Sequence, residues 1–456
     1  MRVDVLAAEI GSTTTVLNAF DGLGTEFPRF LGQGQAPTTV EGEGVSAGLR
    51  MAADALAKSL GEKEITADET FAASSAAGGL RMTVHGLVYD MTVKAAKEAA
   101  LGAGANLHLT TAGVLTESDL SAINRIRPNL ILLAGGTDYG ERETALKNAR
   151  LLTELNEKPP IIYAGNIQNR DEIRSIFDGA GFPCRVTENV YPKLDDLNVE
   201  PTRKVIHAVF EEHITKAPGM KHVRGMVNSS IMPTPGAVMQ CARLLYGALG
   251  DLIVIDVGGA TTDVHSVTAG SDEISSIMTS PEPFAKRTVE GDLGVYINAR
   301  NLAELAGLPQ LEREAGTDSA AALAELKPIP ESAEQIALVK ALTWFAASTA
   351  LIRHAGKLRY VYGPSGRQIL AKGKDLTKIK LLIGTGGALT RLPGRETVFA
   401  RLKDINVSNS MLYPRPGAIE TAEDRDYIMA SLGVMSVKYP EAALKLMLRS
   451  LGRERE

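Results

Sequence analysis

Two short stretches of the chain place an acidic residue, glycines and hydroxyl side chains in the same order. The clearer one, residues 252–265, reads LIVIDVGGATTDVH, with Asp256 near the end of an apolar run and Gly258, Gly259 and Thr261 after it. The run is typical of a buried strand, and glycines without Cβ atoms let backbone N–H groups approach an anion. A carboxylate beside a phosphate requires a divalent cation or an attacking water between them. The stretch therefore indicates a phosphate and metal site, with a plain β-hairpin as the structural alternative.

The second stretch lies at the start of the chain and repeats this order. Residues 3–15 read VDVLAAEIGSTTT, and Glu9 occupies the place that Asp256 has in the other copy. The acid is followed by Gly11, Ser12 and Thr13. A repeated pattern argues against an isolated turn. Because each copy begins a large part of the chain, we expect two related lobes that face each other across one ligand.

A third glycine motif follows the two acidic stretches. Residues 381–390 read LLIGTGGALT and contribute Gly384, Gly386 and Gly387. In this order, the three motifs resemble the superfamily of actin, sugar kinases and heat-shock chaperone ATPases. There, two hairpins hold the β- and γ-phosphates of ATP with its magnesium, and a third motif holds the adenosine. A dinucleotide enzyme fits poorly, because Leu389 stands where Gly-x-Gly-x-x-Gly needs its last glycine.

The order of elements changes between the two acidic stretches. From about residue 116 apolar runs alternate with helical patterns, and this βαβαβ order predicts a parallel, doubly wound sheet. We therefore predict an α/β protein made of two actin-like (ribonuclease H-like) ATPase lobes with an inserted doubly wound α/β lobe. The expected divisions are a first lobe over residues 1–115, the insert over 116–222, and a second lobe with the adenosine motif over 223–456.

Composition limits the possible partners. The chain has 456 residues, a net charge of −5 and 44% hydrophobic residues, so it has no basic surplus for nucleic acid and enough apolar residues for two or three domains. We expect no membrane span, because no apolar run approaches the length needed. The two cysteines, Cys184 and Cys241, form no disulfide framework, and the scattered histidines offer no zinc pattern. A reducing cytoplasm is the expected location.

One longer segment narrows the resemblance. Residues 281–294 read PEPFAKRTVEGDLG. Together with residues 132–138, 233–237, 255–265 and 383–388, they resemble the glutamate mutase accessory protein family, often called MutL and unrelated to the mismatch-repair protein of that name. The resemblance covers nearly the whole chain. Members accompany adenosylcobalamin-dependent carbon-skeleton or amino mutases and are taken to be ATP-driven reactivating chaperones, related in fold to diol dehydratase reactivases.

The resemblance implies a role for each motif residue, with ATP and Mg2+ as cofactors. Glu9 and Asp256 would position magnesium and the attacking water, and Asp263 is the third candidate catalytic acid. The implied phosphate contacts are Gly11, Ser12 and Thr13 from the first hairpin and Gly258, Gly259 and Thr261 from the second. The implied adenosine contacts are Gly384, Gly386 and Gly387. The implied partner is an adenosylcobalamin-dependent mutase, with a small second subunit and a homodimer left open.

Two departures from the family pattern keep other functions open. Glu9 stands where the family usually has aspartate, and Val16 stands where it often has lysine. Slow hydrolysis, or a non-catalytic nucleotide-gated scaffold or filament protein, is therefore an alternative. A small-molecule kinase on the same fold is another, with Asp263 or Asp292 as the base. The turn at residues 290–294 either approaches the nucleotide or caps the next helix.

Overall fold

The computed structural model describes residues 1–11, 13–38, 45–75, 80–214, 225, 227–363, 366–408 and 411–454. Its strands are β1 (Arg2–Ile10), β2 (Thr14–Asp21), β3 (Arg29–Pro37), β4 (Thr66–Ser74), β5 (Leu80–Gly86), β6 (Ala105–Ala112), β7 (Leu130–Leu133), β8 (Ile161–Tyr163), β9 (Cys184–Val186), β10 (Ile231–Pro233), β11 (Leu252–Val257), β12 (Thr262–Val267), β13 (Ala285–Glu290), β14 (Lys357–Gly363), β15 (Gly366–Lys372), β16 (Leu381–Thr385) and β17 (Glu420–Glu423).

The α-helices of the same residues connect these strands. They are α1 (Val45–Ser59), α2 (Lys94–Gly102), α3 (Glu117–Ile126), α4 (Glu143–Leu152), α5 (Arg170–Ala180), α6 (Glu200–Ile214), α7 (Thr234–Leu249), α8 (Asp272–Ser275), α9 (Ala299–Ala306), α10 (Leu308–Ala315), α11 (Ser319–Ala324), α12 (Ala333–His354), α13 (Gly387–Thr390), α14 (Glu396–Lys403), α15 (Met429–Met435) and α16 (Pro440–Ser450). A π-helical turn, Tyr89–Val93, precedes α2, and a 3-10 turn, Ile167–Asn169, precedes α5.

Two five-stranded sheets share one topology. Their strand orders are β10-β4-β1-β2-β3 and β17-β16-β11-β12-β13. In each, the first strand pairs antiparallel with the next strand and parallel with a later one. A third antiparallel strand extends the hairpin side, and a further parallel strand extends the other side. This duplication confirms the two actin-like lobes, because both acidic stretches lie on the first strand of a sheet of the same design.

The third sheet is entirely parallel and belongs to the insert. Its strand order is β6-β5-β7-β8-β9, with α3, α4 and α5 in the connections. In the chain it lies between β4 and β10, two neighbours in the first sheet. The predicted doubly wound insert is thus confirmed as a parallel α/β unit. The chain enters the third sheet at Leu80 and returns to the first sheet at Ile231. We had expected the insert to begin at residue 116 and the second lobe at residue 223. The difference arises because tertiary contacts set the pairing partners of β5, β6 and β10.

The apolar cores join these sheets differently. One core is continuous from the first lobe into the insert, where Ile10 belongs to the same buried cluster as Val84 and Leu132. Another lies between the sheets of the two lobes and is filled by α7, α15 and α16. There α15 crosses α7 closely, since a Cβ on Gly433 would lie 2.5 Å from the carbonyl carbon of Ala237. A glycine is needed at this crossing.

Helix α12 is the single helix among the described residues that is long and apolar enough to cross a membrane by length and composition. Of its most apolar stretch, 61% is buried inside the protein. Leu338, Leu342 and Leu351 belong to the core of the second lobe. Packing against that core therefore accounts for its apolar composition, as it does for other long core helices.

Candidate functional site

A cleft between the two lobes brings the three sequence motifs together. It encloses a cavity of about 260 Å³. The predicted site residues that line it are Glu9, Gly11, Thr13, Asp256, Gly258, Gly259, Thr261, Asp263, Gly386 and Gly387. The residues come from separate lobes and from both halves of the chain. The two acidic hairpins and the adenosine motif therefore share one site.

Glu9 lies near the end of β1, in register with Val16 on β2 and Ala73 on β4. Its Oε1 accepts a hydrogen bond of 3.0 Å from the Tyr427 hydroxyl. Its Oε2 is buried without a hydrogen-bond partner among the described residues. Burial, and next the charge of Asp256, raise the pKa of Glu9 to about 8. An unpaired, desolvated carboxylate oxygen of this kind is expected where a ligand completes the site.

Asp256 occupies the equivalent place on β11. It is in register with Asp263 on β12 and with Thr385 on β16. Burial, and next the charge of Asp263, raise the pKa of Asp256 to about 7. Two neighbouring buried carboxylates resist ionisation together, and a divalent cation between them would relieve both effects. The electrostatics of Glu9 and Asp256 therefore fit a cation site.

The donor set fits magnesium better than a protein-enclosed metal. Among the residues that the structure describes, no three His, Cys, Asp or Glu side chains are grouped to hold a metal ion. Mg2+ usually binds one or two carboxylates and completes its octahedron with phosphate oxygens and water. Glu9 and Asp256, from opposite sides of the cleft, can supply the two carboxylates of such a site.

Asp263 is buried and already paired. Arg287 donates to its Oδ1 from Nε at 2.9 Å and from Nη2 at 2.7 Å. Thr261 Oγ1 lies 3.4 Å from the other carboxylate oxygen, Oδ2. Burial raises the pKa of Asp263 even so, because desolvation outweighs the favourable Arg287 guanidinium. The catalytic role of Asp263 stays a prediction; its geometry is that of an acid fixed in orientation by Arg287.

The tips of the two hairpins have matching turns and meet across the cleft. The Gly11 amide donates to Thr14 O at 2.9 Å, and the Gly258 amide donates to Thr261 O at 3.0 Å. A Cβ on Gly259 would lie 3.3 Å from Cγ2 and Oγ1 of Thr13. The predicted contact residue Ser12 lies outside the described residues. Both hairpins thus present small residues to the same space, as a phosphate contact from two sides requires.

The adenosine motif divides into two parts. Gly386 has φ +82°, and a Cβ there would lie 2.5 Å from Val257 O and would collide with Asp256 Oδ1. Gly387 has open space around its Cβ position, with no described heavy atom within 4 Å. Gly384 is not among the residues that line the cleft, and a Cβ there would lie 2.5 Å from Cε1 of Phe399. Close packing of β16 on α14 explains Gly384, and its contact with a nucleotide stays a prediction.

Several residues of the site carry no motif in the sequence. Tyr427 reaches Glu9 from 418 positions away. An apolar side of the cleft is formed by Pro328, Ile329, Pro330, Val339 and Leu392. The loop after residue 294 supports the second hairpin, since the amides of Val295 and Tyr296 donate to Gly258 O at 3.1 Å and Gly259 O at 2.9 Å. Of the two possibilities for the turn at residues 290–294, the structure thus places its continuation beside the site.

Two lobes of duplicated topology, with acid-bearing hairpins that meet over one cleft, define a protein of the actin-like ATPase fold. The sequence model of the family described as MutL protein matches residues 5–451. The chain is also 38% identical over 463 residues to Protein MutL of Clostridium tetanomorphum, a match that covers 98% of both chains. The chain belongs to the MutL family, of the glutamate mutase accessory type and distinct from mismatch repair.

Solved structures with weaker similarity were also found. A diol dehydratase-reactivating factor in nucleotide-free form has a TM-score of 0.38 and 11% identity, over 96% of this chain and 100% of that chain. A glycerol dehydratase reactivase has a TM-score of 0.33 and 9% identity, over 95% of this chain and 99% of that chain. The fold of this chain is defined by its own strand order and pairing.

Proposed function

We propose that this chain is an ATP-hydrolysing reactivating chaperone for an adenosylcobalamin-dependent mutase of the glutamate mutase or aminomutase type, and that it exchanges damaged cofactor. The observation that carries the proposal is that Glu9 and Asp256, each at the end of the first strand of a duplicated sheet, line one cleft. Membership of the MutL family supports the choice of partner. The expected setting is the cytoplasm, with a homodimer or a small second subunit as further possibilities.

In this proposal, the residues of the cleft act by position and charge. Glu9 and Asp256 would hold Mg2+, which would offset the negative charge of the phosphates. The two hairpin tips direct backbone amides and the Thr13 and Thr261 hydroxyls toward the same phosphates. Tyr427 holds the Glu9 carboxylate in orientation through its hydroxyl. Charge stabilisation and placement of water in line are sufficient for phosphoanhydride hydrolysis, so no covalent step on the protein is required.

Glu9 fits this role despite its departure from the family pattern. Its side chain is one methylene longer than aspartate, so its carboxylate would still extend to a magnesium ion or an attacking water in the cleft. The absence of a lysine at Val16 leaves less positive charge near the phosphates, and we therefore propose slow turnover. ATP binding would close the lobes on each other and hydrolysis would reopen them, and this motion would act on the mutase.

The test combines hydrolysis with reactivation. We expect magnesium-dependent ATP hydrolysis by the purified chain, and recovery of an inactivated mutase when chain, ATP and fresh adenosylcobalamin are added. Asp256→Asn is expected to lower hydrolysis by about a hundredfold or more. Asp251→Asn, just before the opposite end of β11, is the matched control and is expected to leave it unchanged. Recovery that proceeds equally without ATP would refute the proposal.

A further inference from the structure

The insert contacts the second lobe through one strand that is close to the cleft and through the residues just before that strand, where Lys94 pairs with Glu282. This strand, β13, pairs with β12, the return strand of the second hairpin, and brings Val289 into register with Asp263. Three successive residues of β13 contact the insert. Ala285 O accepts from Arg203 on α6, Lys286 pairs with Glu98 on α2, and Arg287 reaches the end of α2. The insert shares its apolar core with the first lobe, so the two would move together. The contacts of the insert with the second lobe are polar and ion-paired, and they therefore lie where one lobe would move relative to the other.

Arg287 joins the cleft directly to the insert. Its side chain is fully buried, with a relative exposure of 0%. On one side it donates to Asp263 Oδ1 from Nε and Nη2. On the other side Nη1 donates to Leu101 O at 3.0 Å and to Ala105 O at 3.1 Å. One rigid, planar guanidinium therefore links a cleft acid to the turn between α2 and β6.

The same turn also contacts α6 of the insert and the start of α7. His207 Nε2, on α6, donates to Ala103 O at 3.1 Å. A Cβ on Gly104 would lie 2.7 Å from Pro233 Cβ and 2.9 Å from the Gly236 amide. These contacts place the turn against the start of α7, and Thr234 and Pro235 of that segment line the nucleotide cleft. The turn at residues 101–105 thus contacts both the start of α7, which lines the cleft, and Arg287, which is bonded to the cleft residue Asp263.

We infer that Arg287 is a positioning residue, which fixes Asp263 in the cleft and transmits the nucleotide state to the insert through the turn at residues 101–105. The inference depends on the proposed nucleotide-driven movement of the lobes. The physical reason is that a buried guanidinium bonded on both sides cannot move at one end alone without leaving an uncompensated charge or unpaired carbonyls. A change at Asp263 must therefore be accompanied by a change at the turn.

Hydrogen exchange with and without nucleotide tests this link in the full chain. In wild type we expect Mg-ATP, compared with no nucleotide, to change exchange in a peptide spanning residues 101–112 by about tenfold. Arg287→Gln is expected to bind ATP but to lose this response. Arg203→Gln is the matched control: Arg203 is also buried, also joins the insert to β13 and also packs against the turn, at Gly102. Its hydrogen bonds go to Ala285 O, Glu98 O and Glu200, and it does not contact Asp263. The response should persist in that variant.

The outcomes separate this inference from the proposed function. A wild-type chain that binds ATP but shows no change at residues 101–112 would overturn the inference alone, as would an Arg287→Gln variant with the wild-type response. A chain that binds no ATP in a prior titration would overturn both. If Arg287→Gln does not fold, Arg287→Lys keeps the charge but loses the two-sided fork, and its response is expected to fall at least severalfold. An unreduced response in Arg287→Lys would also count against the inference.

Discussion

Replacing Gly386 with alanine tests the geometry of the cleft most directly. Gly386 connects β16 to α13 with φ +82° and ψ 153°, a backbone conformation that residues with a Cβ adopt rarely. The added methyl group would lie 2.5 Å from Val257 O and 2.8 Å from the Val257 amide, and it would collide with the Asp256 carboxylate. Because the neighbours are mostly backbone of the second hairpin, they cannot move aside without displacing Asp256.

The expected loss of stability follows from two contributions. The backbone conformation costs about 1–3 kcal/mol for a non-glycine residue, and forcing a methyl group into a filled space costs about 1–3 kcal/mol more. The free energy of unfolding should therefore fall by about 2–6 kcal/mol. With an unfolding entropy of about 2.1 cal/mol/K per residue, a 456-residue chain that unfolds as one unit would lose about 2–6 °C in Tm. A lobe that unfolds separately would show a larger shift.

The neighbouring glycine is the matched control. Gly387 has open space at its Cβ position and begins α13, where alanine is favoured over glycine by up to about 1 kcal/mol. Gly387→Ala should keep or slightly raise Tm, and its effect should appear as weaker binding of a fluorescent ATP analogue. Calorimetry without nucleotide measures both variants. Equal Tm values for Gly386→Ala and wild type would refute the contact with Asp256 on which the cleft geometry depends.

Three further predictions concern buried polar groups. Burial raises the pKa of Glu9 from 4.5 to about 8, so the free energy of unfolding is highest below pH 4.5 and falls as pH rises toward 8. The free energy of unfolding of Glu9→Gln at pH 7 should therefore exceed that of wild type by up to about 3 kcal/mol, and the variant should lose hydrolysis. Burial lowers the pKa of His85 to about 4, so stability falls by up to about 3 kcal/mol as pH drops from 6.5 to 4. His85→Gln should flatten that fall in urea unfolding. Tyr427→Phe leaves Glu9 without its donor and should slow hydrolysis about tenfold, with little change in ATP affinity.

Each of these predictions has a contradicting outcome. For Glu9→Gln it is an equal gain in stability at pH 4 and pH 7, because at pH 4 the wild-type carboxyl is mostly protonated in both the folded and the unfolded state. For His85→Gln it is a pH dependence as steep as that of wild type. For Tyr427→Phe it is a hydrolysis rate equal to wild type with magnesium saturating, since the hydroxyl would then have no part in orienting Glu9.

The sequence by itself determined the features that depend on adjacent residues. Glu9 and Asp256 could be placed at the ends of strands because an apolar run, an acid and glycines follow one another directly. The strand–helix alternation that leads to β7, β8 and β9 is also local, and it was sufficient to predict the parallel insert.

Only the tertiary structure decided which distant residues meet. The pairing of β5 and β6 with the insert, and of β10 with the first sheet, depends on neighbours in space and has no signature in the strand sequences. Tyr427 beside Glu9, and Arg287 between Asp263 and Leu101, are contacts across long separations in the chain. Hydrophobic periodicity shows which face of a helix or strand is buried, but it does not show which other element packs on that face. The polar contacts of this site depend on that packing partner.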